Sequence, residues 1–70
     1  MRALIKVDPE KLTITRLNKG WSIRELARIS KVSRWTIIRL EKGSGAAEKY
    51  TLQKLANALN CNVEHLKEEA

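Results

Sequence analysis

The stretch R-W-T-I-I-R, Arg34 to Arg39, puts two guanidinium groups, an indole and a branched alkyl chain within six residues. A guanidinium is a planar fork that bonds two acceptors at once, such as the O6/N7 edge of guanine or two oxygens of a phosphate. At helical spacing, Val32, Ile37 and Leu40 share an inward face, which leaves Arg34, Trp35, Ile38 and Arg39 outward and Thr36 at the edge. Arg34 and Arg39 are therefore candidate base readers, each worth ~1–3 kcal/mol of discrimination. Equally, they could sit on phosphates, which position a protein without reading sequence. Trp35, with Ile38 beside it, could press on a thymine methyl or a sugar, or pack against a neighbouring loop.

No other constellation supports covalent chemistry. His65, the single histidine, sits beside Glu64 with no nucleophile or metal partner in sequence, and Cys61 reads as a small buried apolar residue. The "GSG" at 43–45 is a turn, not a phosphate loop. Neither an enzyme nor a cofactor or metal is expected. One cysteine cannot form an internal disulfide, and "MRALIKV" is too short and too charged for a secretory leader, so a cytoplasmic protein is expected. No apolar run is long enough to span a bilayer, so no membrane partner is expected.

The charge is uneven. The 70 residues carry a formal charge of +6. Between Lys19 and Lys42, seven Lys and Arg face only Glu25 and Glu41, whereas the tail "EHLKEEA" is acidic. A basic centre on so small a domain points to a polyanion.

Cap chemistry marks five helix starts. Asp8 precedes Pro9, with Val7 and Leu12 at staple positions. Ser22 and Glu25 form a capping box, stapled by Trp21 and Leu26. Ser33, Thr51 and Asn62 begin three more, with staples Val32/Ile37, Tyr50/Leu55 and Cys61/Leu66. Apolar stripes at Ile23, Leu26, Ala27, Ser30 and at Leu52, Leu55, Ala56, Leu59 agree, and Gly20 and Gly43 stand at helix ends. The spacing predicts an all-α domain of five helices, about 9–18, 22–30, 33–42, 51–59 and 62–68. Residues 1–7 form an arm or short strand before a single domain over 8–70, no hairpin is expected, and "GSGAAEKY" is a flexible loop.

Only Lys31 and Val32 separate Ser30 from the Ser33 cap. A corner this short forbids full-length antiparallel stacking and suits a helix-turn-helix, in which the second helix can enter a major groove. "SIRELARISKVSRWTIIRLEKG" resembles the Cro/phage-repressor (XRE) helix-turn-helix family, matching it at Ser22, Leu26, Ala27, Val32, Ser33, Ile37, Glu41 and Gly43. The resemblance extends in outline over nearly everything after Val7. It implies a compact, five-helix, lambda-repressor-like fold and sequence-specific binding of double-stranded DNA, mostly by repressors and mostly by dimers. It also implies an ion pair between Arg16 of the first helix and Glu41 ending the third.

Three departures stand out. Ile23 replaces a Gln that grips phosphate in the family, Lys31 replaces a turn Gly, and Ile38 replaces a Ser. Phosphate contacts are expected from the helix N-terminus at Ser22, the Ser33 hydroxyl, Lys42 and the amides near Gly43 and Ser44, with Thr36, Arg24 and Lys49 as secondary candidates. A homodimer through the fifth helix or the N-terminal arm, by pairing of two Leu4–Val7 strands, would read successive grooves. The competing reading takes the Trp35/Ile38/Arg39 face as an anchor for a protein partner, since Trp and Arg dominate such sites.

Overall fold

The computed structural model describes residues 3–43 and 45–69. Their order is strand β1 (Leu4–Lys6), helices α1 (Pro9–Asn18), α2 (Ile23–Ser30) and α3 (Arg34–Glu41), strand β2 (Ala46–Glu48), then α4 (Lys49–Leu59) and α5 (Val63–Leu66). The five-helix architecture stands, with a minor two-stranded sheet added to it.

Local chemistry explains three of the helix starts. Asp8 Oδ1 accepts from the amides of Glu10 and Lys11 at 3.0 and 3.1 Å, and Pro9 needs no amide partner there. Ser22 Oγ accepts from Glu25 N at 3.1 Å, and Ser33 Oγ from Thr36 N at 3.1 Å. The box at Ser22 is half-formed, because the Glu25 carboxylate turns to Arg28, one helical turn on, at 2.9 and 3.3 Å. That hydrogen bond and charge hold Glu25 below the usual carboxylate range.

The last two helices depart from expectation. α4 begins at Lys49, with Glu48 as its N-cap and no capping side chain, so Thr51 lies inside the helix. The staple residues are then Ala47 and Leu52, both buried, and Tyr50 is exposed with Lys54 over its ring. Asn62 is the N-cap of α5 but makes no side-chain cap bond. α5 stops at Leu66 because Lys67 and Glu68 turn to extended pairing: Glu68 N donates to Lys6 O at 3.0 Å, and Asp8 N to Leu66 O at 2.9 Å.

Residues 46–48, expected to be loop, form β2 and pair antiparallel with β1, Ile5 opposite Ala47. β1 thus runs between β2 on one side and residues 66–68 on the other. The expected pairing of two copies' strands would have to displace the bonds at Lys6 and Asp8. Val7 and Ala47 join the core through this sheet, alongside Leu12, Leu26, Ile37, Leu40, Leu52, Leu55, Ala56, Leu59 and Leu66.

Two bonds close the corner between α2 and α3. Lys31 N donates to Ala27 O at 2.9 Å, and Val32 N to the buried Ser30 hydroxyl at 3.2 Å. Ser30 lies on an apolar stripe because its oxygen has this task. Lys31 itself is left-handed, φ 65° and ψ 25°, a conformation that costs an L-residue roughly 1–2 kcal/mol. Lys31→Gly is expected to raise stability by about 1 kcal/mol, read as a higher urea midpoint with unchanged slope.

Candidate nucleic-acid interface

Position comes before contact, and Arg16 supplies it. From the buried face of α1, Arg16 Nε donates to Glu41 Oε2 at 2.7 Å and Nη2 to Glu41 Oε1 at 2.8 Å. Nη1 donates to the Trp21 carbonyl at 2.8 Å. The Thr13 hydroxyl lies 3.0 Å from Glu41 Oε1. Both charged side chains are about nine-tenths buried, 10% and 9% exposed. The hydrogen bonds it donates to Glu41 raise the Arg16 pKa, against the opposing effect of burial. One guanidinium therefore fixes the end of α3, the chain entering α2 and the body of α1 to one another.

From this support α3 presents its other side. Ile37 and Leu40 are fully buried, while Arg34 and Trp35 are exposed, Trp35 by 70%, and Ile38 by 38%. Trp35 does not pack into a loop; its ring neighbour is Arg39, whose guanidinium carbon lies 5.9 Å from the ring centroid. Arg39 is half-buried and its Nη2 donates to the Ala46 carbonyl at 3.5 Å. Gly45 makes room for it: a Cβ there would come within 2.9 Å of Arg39 Nη1 and 2.7 Å of Leu40 Cδ2. The two arginines expected to be equivalent are therefore not. Arg34 extends from the first turn of α3, and Arg39 lies back toward β2.

The expected phosphate donors divide in the same way. Ser22 caps α2 with the helix amides of Ile23 and Arg24 beside it, and an anion fits there because these first amides have no intrahelical acceptor. Ser33 is less available, since its hydroxyl donates to Thr36 Oγ1 at 2.9 Å as well as accepting from Thr36 N. Its proton is used within the cap, which leaves the Thr36 hydroxyl proton for an outside acceptor. Lys42 is the C-cap residue of α3, Gly43 follows at φ 86°, and both are exposed. Lys49 is exposed at the start of α4. Ser44 lies outside the described residues.

The charge on this segment is largely uncompensated. Lys19, Arg24, Lys31, Arg34 and Lys42 are all exposed and have no carboxylate partner among the described residues, whereas Arg28 is paired with Glu25. Sequence reasoning missed the anchoring of Arg39 by β2, because no local pattern announces a three-residue strand.

The remaining reactive residues do not converge. Burial pushes the Cys61 thiol above its ordinary value, with Lys19 opposing weakly, so the thiolate is suppressed. His65 Nε2 lies 3.1 Å from the Thr15 hydroxyl, which itself donates to Lys11 O. Among the described residues, no three His, Cys, Asp or Glu gather as a metal would require, and no helix is long and apolar enough to cross a membrane.

A helix-turn-helix family model matches residues 14–66. Among solved structures, the chain is similar to the restriction-modification controller protein C.AhdI from Aeromonas hydrophila, at 28% identity and a TM-score of 0.76 over 81% of this chain and 86% of that one. It is also similar to the hypothetical transcription factor NHTF from Neisseria, at 28% identity and a TM-score of 0.78 over 86% of this chain and 69% of that one. No curated protein matches it by sequence.

Proposed function

The chain belongs to the helix-turn-helix family of the Cro/phage-repressor (XRE) type, and from that premise we propose that it regulates transcription by binding a specific double-stranded DNA sequence, as a repressor, with α3 in the major groove. The observation that carries this reading is the pairing of a rigidly held α3 with an exposed, uncompensated basic surface around it. A major groove admits one α-helix, and an arginine in its first turn reaches base edges. Arg34 is the base reader. The α2 N-terminus at Ser22, with Arg24, Thr36, Lys42, Gly43 and Lys49, holds phosphates on either side. A module seated this way excludes other proteins from the same duplex, which makes repression its simplest output.

A single α3 covers a short site. Two copies about 34 Å apart would read successive turns of the groove. α5 and the N-terminal segment, where the Leu4 side chain is 63% exposed, are the surfaces that could join them. This contact would be between side chains, since the β1 edges are largely occupied.

Selection of bound duplexes from a random pool tests the proposal. A short motif containing at least one fixed guanine is the expected result. A pool that shows no enrichment at low salt would count against it. A second reading retains support from one observation, the exposure of Trp35 and Ile38: an α3 that grips an acidic protein would use the same residues. That reading expects capture of a protein, and loss of capture in Trp35→Ala, with no duplex preference.

A further inference from the structure

Helix α3 exposes more apolar surface than phosphate binding or guanine reading can use. Trp35 is 70% and Ile38 38% exposed, one helical turn apart, on a helix whose Ile37 and Leu40 are fully buried. Arg39, the second expected base reader, lies beside the indole with its Nη2 3.5 Å from the Ala46 carbonyl. In the major groove nearly every base-edge atom is a donor or an acceptor, and the one apolar group is the thymine methyl. An indole pressed against amino or carbonyl edges would strip them of water and leave them unpaired. Against methyl groups it loses nothing. The surrounding cations, Arg34, Lys31, Arg24 and Lys42, have no carboxylate partner among the described residues, so the apolar patch lies on a surface whose charge suits a duplex.

We infer that α3 selects sites bearing a thymine where the Trp35 and Ile38 side chains meet the groove, reading its 5-methyl group, with Arg39 as the positioning residue that holds the indole. This inference rests on the duplex-binding reading above and names what that binding discriminates.

The test uses the best duplex from the random-pool selection and replaces each thymine in turn with deoxyuridine, which deletes only the methyl. For the wild-type protein, one or two positions per half-site are expected to lose about fourfold in affinity each, the worth of one buried methyl group. In Trp35→Ala the replacement under the indole is expected to lose its effect, and in the Trp35→Ala/Ile38→Ala double variant the same replacements are expected to change nothing. Trp35 is exposed, and a melting curve verifies that the variant stays folded. Arg39→Ala is expected to keep binding the duplex while shrinking the thymine-to-uracil ratio, which simple loss of a phosphate contact would leave intact. Wild-type protein that binds its selected duplex equally well with every thymine replaced would overturn the inference while leaving duplex binding standing. Capture of a protein through Trp35, together with that indifference, would assign the patch to a protein partner instead. A protein that enriches no duplex at all would bring down the functional reading and this inference together.

Discussion

Arg16→Ala is expected to destabilise the domain by about 3–5 kcal/mol, enough to leave most of the chain unfolded at 25 °C. The removed guanidinium spans three elements: it chelates Glu41 at the end of α3 and bonds the Trp21 carbonyl ahead of α2. Its loss leaves the Glu41 carboxylate, 9% exposed, with only the Thr13 hydroxyl beside it among the described residues. Most of the cost is that stranded charge rather than the worth of the pair. Glu41→Ala should cost a similar amount, by stranding the guanidinium. The double variant should be less damaging than the sum of the two. Urea midpoints in a stabilising osmolyte keep the variants measurable. A loss under ~1 kcal/mol would be what exposed charges contribute, and would show that Arg16 does not brace α3.

The second large effect is on affinity. Of the groups assigned to phosphates, Arg24, Lys42 and Lys49 carry the charge that neutralises them. At about −0.9 per neutralised phosphate, the slope of log affinity against log salt should be about −2.7 for each subunit, a roughly 40-fold loss between about 50 and 200 mM salt. The loop after α3 moderates this figure, because it supplies few cations. Lys42→Ala should make the slope shallower by about 1. It should weaken all duplexes alike, since a phosphate contact carries no sequence information. A slope near zero would mean that the exposed cations face water or a protein.

The middle of the molecule was legible because its chemistry is local. Ser22, Ser33 and the spacing of Leu26, Ile37 and Leu40 specify two helices and the corner between them within 22 residues. The turn glycine of the family singles out position 31, but the left-handed backbone of Lys31 is a finding of the structure. Where competing partners were close, local reading failed: Glu25 had both Ser22 and Arg28 in reach and took the charged one. At Thr51 a capping residue was present, but β2 hands its chain directly into α4 two residues earlier. β2 itself, A-A-E, has no β-branched residue and exists because β1, 44 residues away at Leu4–Glu48, pairs with it. The same distance hid the anchoring of Arg39, and with it the inequality of the two arginines. Arg16 and Glu41 are 25 residues apart, and periodicity could not have joined them.

The most direct test of α3 as the element that enters the groove is the accessibility of Trp35 itself. In a Trp21→Phe variant, which retains the Arg16 bond to the residue-21 carbonyl, Trp35 is the sole indole and starts 70% exposed. Acrylamide quenching should be efficient in the free protein and fall several-fold when the selected duplex saturates it. Quenching that stays unchanged at saturation would place α3 outside the groove and contradict the account.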